Sequence, residues 1–118
     1  METKKILLID DEADLIEMLK KFLEEEGYEV VSSCNGKQGL EMFEKEEPDL
    51  VLLDLALPGM NGLEVLKRMM KKKKTLVIMI TAYKDAEKVV DAFRLGAYDC
   101  IFKPFDFDYL KRCIKIKL

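Results

Sequence analysis

The chain has 118 residues, 49% apolar and 36% charged, with a formal net charge of −3 and no histidine. A single domain of this size buries roughly two-thirds of its unfolded surface, and the composition is that of a globular chain rather than a disordered one. The mild acidity argues against general nucleic-acid binding, which wants a basic face, and the missing histidine excludes His-based triads, His metal ligands and phosphohistidine chemistry within the chain.

Met1-Glu2-Thr3-Lys4-Lys5 leads straight into a short apolar run and then Asp10-Asp11, which is not the layout of a secretory signal. The run Ile6-Leu7-Leu8-Ile9 is an expected strand that stops on those two carboxylates. Leu15, Met18, Leu19, Phe22 and Leu23 then fall at helical spacing, and Gly27 closes that helix. Tyr28-Glu29-Val30-Val31-Ser32 reads as a shorter, more polar strand nearer a sheet edge. Gly36 opens a helix that turns Leu40 and Phe43 inward and closes before Pro48.

Leu50-Val51-Leu52-Leu53 shows no period-two alternation, so both of its faces should be covered. Such a run marks a central strand of a parallel sheet flanked by helices. It stops on Asp54 and gives way to a loop with Pro58, Gly59 and Gly62. Leu63, Leu66 and Met70, with Val65 and Met69 beside them, place the next helix. Lys71-Lys72-Lys73-Lys74 is open to two readings: a nucleic-acid patch, or a solvated helix end whose cations suit the negative pole of the dipole. Leu76 to Ile80 is a third fully apolar strand and stops at Thr81. Val89, Val90 and Phe93 set the following helix, closed by Gly96. Tyr98 to Phe102 makes a fifth strand ending at Lys103-Pro104, and Asp106 caps a last helix with Leu110, Ile114 and Leu118 inward.

Five strands alternating with five helices predict one α/β domain spanning residues 1–118, with a parallel sheet, right-handed crossovers and helices on both faces. No apolar run approaches the ~20 residues needed to span a bilayer. Cys34, Cys100 and Cys113 form no C-x-x-C pair, which fits a reducing, cytoplasmic setting.

In such a sheet the strand C-termini share one edge, where open α/β folds place their ligands. Strand one delivers Asp10 and Asp11, strand three Asp54, strand four Thr81 and strand five Lys103. Each is ambiguous alone: Asp54 is also a turn former, and Asp10-Asp11 also a helix cap. Together they need compensation, because two carboxylates 4 Å apart repel by about 4 kcal/mol at an effective dielectric of 20. A hard cation such as Mg²⁺ suits them, and Lys103 can pair with a carboxylate or a phosphoryl group. Acids, Lys and Thr are the groups that phosphoryl chemistry uses, with Asp54 as a nucleophile able to form an aspartyl phosphate.

These motifs are Asp10-Asp11, Asp54 with Pro58-Gly59-Met60-Asn61-Gly62, Thr81-Ala82, Gly96-Ala97 and Lys103-Pro104-Phe105. In order, spacing and strand context the chain resembles a receiver domain of the two-component response-regulator family, of the single-domain chemotaxis-regulator kind. The resemblance implies a flavodoxin-like three-layer sandwich with strand order 2-1-3-4-5. It implies that Asp54 accepts a phosphoryl group from the phosphohistidine of a sensor kinase or phosphotransfer protein. Asp11, Asp54 and the backbone carbonyl of Ala56 would hold Mg²⁺ (or Mn²⁺), with Asp10 assisting through water, while Thr81 and Lys103 hold phosphoryl oxygens. Such a protein catalyses its own phosphorylation and hydrolysis rather than turning over a substrate. Phosphorylation then repacks the face of helix four, strand five and helix five, which a downstream protein or output domain reads, as a monomer or a phosphorylation-dependent dimer.

Two departures bear on this. The place three before the Lys, usually aromatic in the family, is Cys100, and Ala56 and Tyr83 would flank the path of water to the phosphoryl group. Three rival readings remain: a flavin or dinucleotide domain, a metal-dependent phosphatase, and a receiver used only for binding. The first lacks a G-x-G-x-x-G or P-loop, and the second lacks an acid at Ala56.

Overall fold

A computed structural model describes residues 2–82 and 86–118. The first half of the chain forms Lys5–Ile9 (β1), Ala13–Glu25 (α1), Glu29–Ser33 (β2), Gly36–Glu46 (α2) and Leu50–Leu53 (β3). Gly62–Lys72 (α3), Leu76–Thr81 (β4), Ala86–Arg94 (α4), Asp99–Phe102 (β5) and Phe107–Lys117 (α5) complete it. The strands are parallel and ordered β2-β1-β3-β4-β5, as the resemblance implies.

The uninterrupted apolar runs are explained by the two faces of this sheet. Leu7, Ile9, Val51, Leu53, Val77 and Met79 point to one side, against Phe43 of α2, Val65, Leu66 and Met69 of α3, and Ala92 of α4. Ile6, Leu8, Leu50, Leu52, Ile78 and Ile80 point to the other, against Leu19 and Leu23 of α1 and Leu110 and Ile114 of α5. Since successive strand side chains alternate in direction, a strand covered on both faces must be apolar at every position. β2, with Glu29 exposed and Ser32 half-buried, lies at the sheet edge, as its polarity predicts.

Helix ends follow local chemistry. The side chains of Asn35, Asn61 and Asp106 cap α2, α3 and α5 by accepting from backbone N–H groups. Gly27 and Gly96 take positive φ just beyond α1 and α4, as helix-closing glycines do. Lys71 and Lys72 occupy the last turn of α3 and, with Lys73 and Lys74, are exposed at the negative pole of the helix dipole.

Three apolar residues expected inside are on the surface. Met18 of α1 is 58% exposed, and Val90 and Phe93 of α4 are 45% and 46% exposed. Leu19 and Leu23, with Leu15, Ile16 and Phe22 beside them, cover the α1 side of the core, and Met18 lines a groove instead. In α4 the residue that reaches the core is the small Ala92, so its larger apolar neighbours lie outside.

Candidate functional site

Strand register decides which ends meet. Ile9 pairs with Leu53, so Asp10 and Asp54 leave adjacent strands side by side, and the N–H of Asp54 donates to the carbonyl of Ile9 at 2.9 Å. Thr81 closes β4 fully buried, and the N–H of Lys103, just past β5, donates to its carbonyl at 2.9 Å. Asp10, Asp54, Thr81 and Lys103 therefore crowd one edge.

At its centre is the Lys103 ammonium. Its Nζ stands 2.8 Å from Asp10 Oδ2, 2.5 Å from Glu12 Oε1 and 3.0 Å from Asp54 Oδ2. Asp10 and Asp54 are buried, while the Glu12 side chain is mostly exposed. Each buried carboxylate has its second oxygen on the backbone: Asp10 Oδ1 accepts from the Glu12 N–H at 2.9 Å, and Asp54 Oδ1 from the Ala56 N–H at 3.0 Å. Both side chains are thus held at both oxygens.

Burial pushes the Asp10 carboxyl above its ordinary value, against the hydrogen bonds from Lys103 and the Glu12 N–H, with the charge of Asp54 adding to the rise. Burial pulls Lys103 down, but its contacts with Asp10, Glu12 and Asp54 outweigh that and leave it raised. Lys103 is a fixed cation at neutral pH, facing three carboxylates.

Asp54 owes its placement to the loop behind it. Gly62 opens α3 so close to the acceptor strand that a Cβ there would lie 2.2 Å from the Asp54 carbonyl oxygen and 2.6 Å from Leu55 Cα. The Gly62 N–H donates to the Leu55 carbonyl at 2.9 Å, and Leu55 and Leu57 are buried, which pins the loop from both sides.

Carboxylate oxygens of Asp10, Glu12 and Asp54 lie within 4.8 Å of one another. An all-oxygen donor set with no imidazole or thiolate fits a hard divalent ion such as Mg²⁺ or Mn²⁺ rather than zinc. Asp11, the expected direct ligand, stands outside this group and is exposed. Glu12 takes the third place, and its only signal in the sequence is that it follows the Asp pair. Ala56 is exposed beside the acid pair, and Tyr83 lies outside the described residues.

The profile of the response regulator receiver domain matches residues 6–115. The chain belongs to the response regulator receiver domain family. This receiver is 40% identical over 116 residues to sporulation initiation phosphotransferase F of Bacillus subtilis (strain 168), covering 98% of this chain and 94% of that protein. It is 46% identical to the transcriptional regulatory protein CrdR of Helicobacter pylori, covering 95% of this chain and 54% of that one. Among solved structures, a CheY-like response regulator receiver domain protein from Methanospirillum hungatei JF-1 matches with a TM-score of 0.96 at 36% identity, over 98% of this chain and 94% of that one. The receiver is therefore a component of two-component systems. Among the described residues no helix is long and apolar enough to cross a membrane.

Proposed function

We propose that this receiver accepts a phosphoryl group on Asp54 from the phosphohistidine of a sensor histidine kinase or phosphotransfer protein. The observation that carries the reading is the buried Asp54 carboxylate held between the Ala56 N–H and the Lys103 ammonium. An Asp54 oxygen attacks phosphorus, the bond from phosphorus to the donor's imidazole nitrogen breaks, and that nitrogen keeps the electron pair. The ammonium of Lys103 then faces the negative phosphoryl oxygens, and Thr81, at the neighbouring strand end, supplies a hydroxyl to one of them.

Asp54, Asp11 and the Ala56 carbonyl would hold Mg²⁺, as family membership implies, with the buried Asp10 carboxylate assisting through water. The ion would neutralise charge on the phosphoryl group as it arrives. With Cys100 in the usual aromatic place, coupling runs through Thr81 and its loop to the surface of α4, β5 and α5. Val90, Phe93, Tyr98, Phe102 and Tyr109 are exposed there and give a downstream protein or output domain an apolar face. The protein acts in the cytoplasm, without binding nucleic acid itself, as a monomer or a phosphorylation-dependent dimer. It is not a turnover enzyme.

Incubation with acetyl phosphate, with and without Mg²⁺, tests this by intact mass. One phosphoryl adduct is expected on the wild type with Mg²⁺. A stable adduct on Asp54→Asn, or equal labelling in chelator, would sink the reading.

A further inference from the structure

Glu12 occupies the N-cap position of α1, yet its side chain makes no capping hydrogen bond. It reaches instead to Lys103, 91 residues away in sequence. We propose that Glu12 is a positioning residue that keeps the site closed, holding one ammonium proton of Lys103 until a phosphoryl oxygen displaces it. The inference rests on the reading of Asp54 as phosphoryl acceptor and names a control on that same site.

The argument begins with a donor count. An ammonium has three N–H groups, and Lys103 Nζ has three carboxylate neighbours, at 2.8, 2.5 and 3.0 Å. Among the described residues these three carboxylates take all three donors, so one neighbour must give way to a phosphoryl oxygen. Asp10 and Asp54 are poor candidates. Both are buried, and each has its other oxygen committed to a backbone N–H. Withdrawing either from Lys103 would leave a buried charge with less compensation, which is costly. Glu12 has no such commitment. Its side chain is 57% exposed, so its carboxylate can swing into water, where an ion pair is weakest.

The position of Glu12 matters as well. It lines a groove of about 450 Å³ shared with Lys103, Leu15, Met18 and Phe105. A ligand that reaches Lys103 in that groove shares it with the Glu12 carboxylate. Three carboxylates around one ammonium also leave a net charge of −2, which repels an incoming phosphoryl dianion. Opening the pair removes the obstruction and moves one negative charge away.

The test uses beryllofluoride, a non-transferable phosphoryl mimic, with saturating Mg²⁺, on wild type, Glu12→Gln and Glu17→Gln. Glu17 is exposed on the same helix, so its variant controls for lost charge alone. If Glu12 masks the site, the apparent affinity is lowered by the fraction of molecules with the pair closed. Glu12→Gln should then bind beryllofluoride roughly two- to fivefold more tightly, the range an exposed ion pair can supply. The gain should shrink in high salt. The ¹⁵N-edited signal of the Lys103 ammonium, protected in wild type, should broaden by faster exchange in Glu12→Gln and stay sharp in Glu17→Gln. Unchanged affinity with an unchanged ammonium signal overturns the proposal. So does weaker binding by Glu12→Gln, which would make Glu12 a holder of metal or phosphoryl group. Equal gains in both variants reduce the effect to net charge and overturn it too. Failure of the wild type to take up beryllofluoride would remove the acceptor reading itself, and this inference with it.

Discussion

Gly62→Ala tests whether the backbone behind the acceptor is held by contact. The added methyl would sit 2.2 Å from the Asp54 carbonyl oxygen and 2.6 Å from Leu55 Cα, where ordinary contact begins near 3.4 Å. Both obstacles are backbone, so no side chain can rotate away, and either the start of α3 or the Asp54–Leu55 peptide must move by about 1 Å. Overpacking of this kind costs about 1–3 kcal/mol, and the stretched bond from the Gly62 N–H to the Leu55 carbonyl adds about 1 kcal/mol. A domain with about 5–15 kcal/mol of stability survives that loss. Asp54 then leaves its place between the Ala56 N–H and Lys103, and a misplacement near 1 Å costs reaction rates about a hundredfold. Urea unfolding should show the stability loss, and initial rates of acetyl phosphate labelling with Mg²⁺ should fall by one to two orders of magnitude, roughly. Gly59→Ala is the comparison. Gly59 has φ +76° and nothing near its missing Cβ, so it should lose about 1–2 kcal/mol to backbone strain alone and keep most of its labelling rate. A Gly62→Ala protein as stable as the wild type, or destabilised but labelled at the wild-type rate, would refute the reasoning.

Two further outcomes follow from the site's electrostatics. A carboxyl whose folded-state pKa is raised binds its proton more tightly in the folded chain, so ionising it weakens folding as pH rises. In the metal-free protein Asp10 should therefore lower stability increasingly from the ordinary Asp value of 3.8 up through its raised value. Asp10→Asn should accordingly be more stable than wild type at neutral pH, with the gain fading on acidification; a gain independent of pH would contradict the assigned cause. Burial, with the Asp99 carboxylate adding to it, pushes the Cys100 thiol up, whereas Cys34 is exposed. Iodoacetamide followed by peptide mass mapping should modify Cys34 first and Cys100 more slowly. Equal rates would mean that Cys100 is far more accessible than its packing against the core allows.

The local pattern carried the architecture. Ile6 to Ile9, Leu50 to Leu53 and Leu76 to Ile80 are apolar at every position because both faces of a strand are covered, and that requirement is written residue by residue. Helix ends were legible for the same reason, since Gly27 and Gly96 answer to the backbone within a turn or so of themselves. The convergence of Asp10, Asp54, Thr81 and Lys103 on one edge followed from strand direction alone. What sequence could not supply was contact at the ends of those strands. Whether Asp11 or Glu12 reaches Lys103 depends on how the first turn of α1 leaves β1, and in the structure it is Glu12 that pairs with Lys103. Whether Val90 and Phe93 are buried depends on what α4 packs against, and helical spacing is the same for a face against a sheet and a face against water. Sequence by itself thus determined the parallel sheet and the residues at its functional edge, because burial and chain direction act at each position. Only the tertiary structure decided that Glu12 shares the Lys103 ammonium and that α4 keeps an apolar face outside, because both depend on neighbours far away along the chain.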